Sequence, residues 1–136
     1  MKTLELRPRQ PVKGKDGKVV HRWHDYYVLS NALNSIAKGK DFVKAAPFMG
    51  IAAKATVAAE EAERVGKGAA QTLQIELSNQ EAKLLWKKIM ELKAEQFGNG
   101  QVAPPVGTLY LMLADFAGQL GQELPSAPDD DGEDDE

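Results

Sequence analysis

A chain of 136 residues is long enough to bury one core without covalent staples, and the absence of cysteine excludes disulfides, thiolate metal sites and cysteine nucleophiles. Apolar residues make up 43% and charged residues 27%, an ordinary globular balance. The formal net charge of −3 conceals an asymmetry: residues 1–44 hold ten Lys/Arg against four Asp/Glu, whereas residues 129–136 hold seven acids and no base.

The first residues, Met1 to Arg7, contain no apolar leader core. Leu4 and Leu6 alternate with Thr3, Glu5 and Arg7, the period of a half-buried strand. Asp16-Gly17 suits a type I′ turn between a segment ending at Val12 and one beginning at Val19, so residues 12–20 form either a hairpin or a Lys/Gly-rich loop. Tyr26, Leu29, Leu33 and Ile36 recur at helical spacing, with Asp25 as the expected cap and Gly39 as the left-handed stop.

Residues 50–68 predict a second helix, with Ile51, Ala55, Ala58, Ala62 and Val65 as its buried stripe. Leu73, Ile75 and Leu77 alternate with Gln74 and Glu76, a second strand with its polar residues outward. Ser78 and Glu81 spell a capping box. The helix behind it is expected to bury Ala82, Leu85, Trp86, Ile89 and Leu92 and to run to Gly98. The last helix is expected from a Thr108 cap to Gly121, with Leu109, Leu113, Phe116 and Leu120 on one face. Leu111 and Met112 widen that face, which predicts burial on more than one side. The longest uninterrupted apolar run, residues 109–114, is far below the roughly 18 residues of a membrane span. A soluble, cytoplasmic protein with no membrane partner is therefore expected.

The predicted architecture is α+β: about four helices on a small sheet of two to four strands. Residues 1–124 form one domain, and residues 125–136 a disordered acidic tail, because a block of like charge repels itself and has nothing to bury.

Chemistry-bearing constellations are sparse. His21 and His24 stand at i,i+3 with no third ligand placed by the sequence, which reads as a polar junction between strand and helix. Asp115 has Leu111 and Gln119 at i±4, hence no cation on its own helix, and is expected on the exposed face. No pair of carboxylates and no nucleophilic serine stands out. The run at 66–71 departs from a dinucleotide-binding glycine motif by its final Gln71 and by following a helix. The tail lacks the acidic first and twelfth positions of a calcium loop. No enzyme and no cofactor is expected.

The charge distribution is more informative. Arg7, Arg9, Lys13, Lys15, Lys18 and Arg22 precede Trp23, Tyr26 and Tyr27, and cations beside aromatic rings suit single-stranded nucleic acid. The acidic residues Asp129, Asp130, Asp131, Glu133, Asp134, Asp135 and Glu136 suit either a basic patch on another protein or the chain's own basic segment. The leading expectation is a non-catalytic binding protein, of the small phage or bacterial accessory type, that regulates or assembles a larger protein machine through these charged ends and one exposed helix face. The alternative is a nucleic-acid-binding protein whose tail masks its own basic segment.

Overall fold

The computed structural model describes residues 1–8, 12–13, 19–21, 24–64, 72–98 and 104–125. Chain order gives β1 (Lys2–Leu6), β2 (Val12–Lys13), β3 (Val19–His21), α1 (Asp25–Ala37), α2 (Phe42–Arg64), β4 (Leu73–Leu77), α3 (Asn79–Ile89) and α4 (Val106–Leu120), with a 3₁₀ turn at Ala94–Phe97 between the last two helices. This is an α+β fold. β2 and β3 pair antiparallel, the hairpin alternative of the two that the sequence left open, with an irregular register at Val12/Lys13. Its turn lies outside the described residues.

β1 and β4 pair antiparallel, with Leu4 opposite Ile75 and Leu6 opposite Leu73. The alternation works as read: these four side chains and Leu77 are buried, while Thr3, Gln74 and Glu76 face out. A two-stranded sheet has two unpaired edges, each a template for unwanted pairing, and here a helix lies beside each. On the β1 side, Gln119 of α4 accepts from the Glu5 N–H and donates to the Glu5 carbonyl. One residue pair further on, Asp25 at the start of α1 accepts from the Arg7 N–H, and its own N–H donates to the Arg7 carbonyl, both at 3.0 Å. On the β4 side, Lys54 Nζ of α2 donates to the Glu76 carbonyl at 2.7 Å. Thus α4 and α2 flank opposite edges of the sheet, and α1 and α3 complete the core with Leu29, Leu33, Leu85 and Trp86.

Local sequence explains most element ends. Ser78 Oγ accepts from the Glu81 N–H and Glu81 returns the bond to the Ser78 N–H, the predicted capping box. Gly39 and Gly121 hold φ of 80° and 69°, the left-handed region in which a Cβ is penalised. Other expectations need correction. The cap of α1 is His24, whose Nδ1 accepts from the Tyr26 N–H; Asp25 is the first helical residue and turns its carboxylate to Arg7 instead. The buried stripe gains Val28 and Ala32, and Tyr26 is only half-buried.

α2 begins eight residues earlier than expected, at Phe42, and runs through Pro47. Asp41 Oδ1 caps it by accepting from the Lys44 N–H at 2.9 Å. Pro47 removes one i→i−4 donor. The carbonyl left without it belongs to Val43, which is 81% exposed.

α3 stops at Ile89, not at Gly98, because the chain turns back through Met90–Leu92 to bury Phe97. Asn31 Nδ2 and Ser35 Oγ of α1 donate to the Phe97 and Gln96 carbonyls at 3.2 and 3.0 Å and hold that turn. A continued helix would carry Phe97 roughly 12 Å further along its axis, away from the core. α4 starts at Val106 behind Pro105, with no side-chain cap from Thr108. It buries Leu109, Met112, Phe116, Ala117 and Leu120 on one side, and Leu111 is 64% exposed. The expected burial on more than one side is therefore incorrect.

Candidate interaction surfaces

The residues expected to meet a partner divide by location. Arg7 is described throughout, and Lys13 is described as a β2 backbone position. Arg9, Lys15, Lys18, Arg22, Trp23 and the seven acids of the tail lie outside the described residues.

Arg7 sits on the polar side of the sheet between two carboxylates. Its guanidinium pairs with Glu5, two residues back on β1, whose end Arg7 directly follows, and with Asp115 Oδ2 of α4 at 3.0 Å. Gln74 Nε2 of β4 donates to the other oxygen of Glu5 at 3.1 Å. These bonds favour the ionised form, so the Glu5 carboxyl is held below the usual carboxylate range, first by the Arg7 hydrogen bond and then by Gln74. Asp115 is thus not a solvent-facing acid without a cation. Its partner lies 108 positions away in sequence, outside any window that helix spacing can search.

The strand-to-helix junction of the two histidines resolves at His24. Its ring is buried and its Nδ1 is committed to capping α1. Among the described residues no three His, Cys, Asp or Glu side chains gather in a metal-binding group. His24, Tyr26 and Tyr27 instead line a cavity of about 300 Å³ together with Leu73 and with Ala59, Ala62, Glu60 and Glu63 of α2. The two tyrosine rings are tilted, with centroids 5.2 Å apart. This cavity offers aromatic walls and two exposed carboxylates, which suits a cationic group and repels phosphate.

The more extensive feature is apolar. On α2, Phe42, Val43, Met49 and Val57 are 71%, 81%, 45% and 63% exposed; on α4, Val106, Tyr110 and Leu111 are 76%, 53% and 64% exposed. α2 is long and apolar enough to cross a membrane by length and composition, and 22% of its most apolar stretch is buried. The expectation that the chain holds no segment of that kind counted only uninterrupted apolar runs, and Lys44 and Lys54 divide this one. The same helix supplies Phe48, Ile51 and Ala55 to the core. The exposed first half of α2 escaped the sequence reading, which began the helix at residue 50, three residues after Pro47. The signal was present in the i, i+4, i+7 spacing of Phe42, Ala46 and Met49.

Comparison with protein families, with characterised proteins and with solved structures finds no match.

Proposed function

We propose that this chain is a non-catalytic binding protein that assembles or regulates a larger protein machine. The observation that carries this reading is the exposure of large apolar side chains on two helices at opposite edges of one sheet, Phe42, Val43, Met49 and Val57 on α2 and Val106, Tyr110 and Leu111 on α4. Large apolar side chains gathered on one helix in this number are costly to leave in water and mark contact surfaces. Two such faces let one small protein join two neighbours.

Two further observations support the reading. The described carboxylates Glu5, Glu61, Glu81 and Asp115 are used in ion pairs that tie the fold together or brace a helix. The cavity beside Tyr26 and Tyr27 carries Glu60 and Glu63, a poor setting for stacking bases beside phosphates. The acidic tail would act as a long-range electrostatic guide to a basic partner, with steep salt dependence.

The test uses α4, whose exposed side chains can change without disturbing the core. Wild type and a Tyr110→Ala/Leu111→Glu variant are compared as baits at low and moderate salt. A partner held by wild type and lost by the variant is expected. Equal retention by both, or tight salt-sensitive binding of single-stranded nucleic acid by the full chain, overturns the reading.

A further inference from the structure

We propose that α2 is the contact helix of a twofold dimer, in which two copies of this chain pack antiparallel through the outer face of Phe42, Ala46, Met49, Gly50, Ala53 and Val57. The inference rests on reading the apolar helix faces as contact surfaces, and it names the occupant of one of them.

Charge selects the occupant. The end of α2 nearest its start is basic on balance, with Lys44 and, in the turn before the helix, Lys38 and Lys40 (whose Nζ also donates to the Ile36 carbonyl) exposed against Asp41. The other end is acidic on balance, with Glu60, Glu61 and Glu63 exposed against Arg64, which pairs with Glu61. A twofold axis perpendicular to the helix lays the basic end of each copy on the acidic end of the other, twice over, as an isologous contact requires. A parallel pairing stacks like charges at both ends. An anionic membrane surface attracts the lysines and repels the three glutamates, so it fits only half of the helix.

Shape agrees with charge. Gly50 is exposed in the middle of the helix, and a Cβ built there meets nothing within 4 Å. Glycine at such a position is unfavourable relative to alanine, and no neighbour among the described residues requires it. The open space above it lets a second backbone approach closely, as does the space above Gly107 and Gly118 of α4. With the two Gly50 residues facing each other, the second copy's Phe42 comes level with Ala58 and its Lys40 level with Glu60. At Ala58 lies an open groove of about 670 Å³, lined by Met1, Ala53, Val57, Ala58 and Ile75, with Lys54, Glu61, Gln74 and Glu76 also along its walls. It is apolar where the ring of Phe42 arrives. A helix of this length spans about 35 Å, so the contact is at the small end of specific interfaces and comes apart on dilution.

Sedimentation equilibrium of the full chain tests this. The expected result is a mass that rises from 14.8 kDa towards twice that value across the micromolar range, less steeply at high salt. Met49→Asp should weaken association by about tenfold or more. Lys40→Glu and Glu60→Lys should each weaken it, and the two together in one chain should restore it, because each new charge then faces its opposite across the axis. Helical content by circular dichroism confirms that these surface variants are folded. A mass of 14.8 kDa at every concentration overturns the dimer, as does a double charge reversal that fails to recover. Vesicle binding by such a monomer would reassign the face to lipid. The α4 variant of the partner test leaves this association unchanged, so the two readings fail separately.

Discussion

Glu81 has two partners at once. Its Oε1 accepts from the Ser78 N–H at 2.8 Å and from Lys54 Nζ at 2.9 Å. Both favour the carboxylate, so the group is held below the usual value of 4.5, with the Ser78 bond the larger cause. A carboxyl whose folded value is depressed contributes stability that is fully present above its unfolded value. That contribution is lost as pH falls through the lower folded value. Urea midpoints of wild type should therefore drop as pH is lowered below 4.5, and Glu81→Gln should have a lower midpoint at neutral pH and a shallower decline. Ser78→Ala removes the reciprocal bond and should cost about 1 kcal/mol at pH 7 by the same measurement. The box was legible because its members stand three residues apart. Lys54 was not, since it stands 27 positions from Glu81.

At the scale of the element, α2 carries an internal contradiction. Pro47 lies in its sixth position, where proline forfeits a hydrogen bond and crowds the preceding turn. Burial of Ala45, Phe48 and Ile51 on either side outweighs that penalty, and most helical stability comes from such packing and not from propensity. Pro47→Ala should then raise unfolding stability by roughly 1–3 kcal/mol in urea titration, with no change in the core. A sequence read by local preference starts the helix after the proline, and in doing so omits Phe42, Val43 and Met49, the side chains with most to say about partners. The α4 misreading has the opposite form. Leu111 is apolar and stands among apolar residues, so a pattern of residue types marks it as core. Only the direction of α4 against β1 puts it in water.

At the scale of the whole molecule, the decisive arrangement is a two-stranded sheet whose edges are taken by helices. Sheets of two strands are marginal alone. Here Gln119, Asp25 and Lys54 supply the hydrogen bonds that further strands would have made. Phe97 adds to the core, buried on a short turn that hangs from Asn31 and Ser35 of α1. Phe97→Ala should lower global stability by about 3–5 kcal/mol. Amide exchange should accelerate in α1 and α3 alike, since both pack on the core it fills.

Several elements have a local cause that is legible in the chain: two strands from alternation, the start of α3 from Ser78 and Glu81, the end of α4 from a left-handed Gly121, and Trp86 as core from its helical stripe. Each depends on residues within one or two turns of each other. α1 is instead capped by an extended Lys38, with Gly39 in the turn that follows. The features that spacing could not reveal have partners far apart in the chain. Packing sets the antiparallel register of β1 on β4, sends Arg7 to Asp115, ends α3 early so that Phe97 can return to the core, and leaves one face of α2 and one of α4 apolar in water. The physical reason is common to all of them: spacing reports which side chains share a face, and only packing decides whether that face meets protein or solvent.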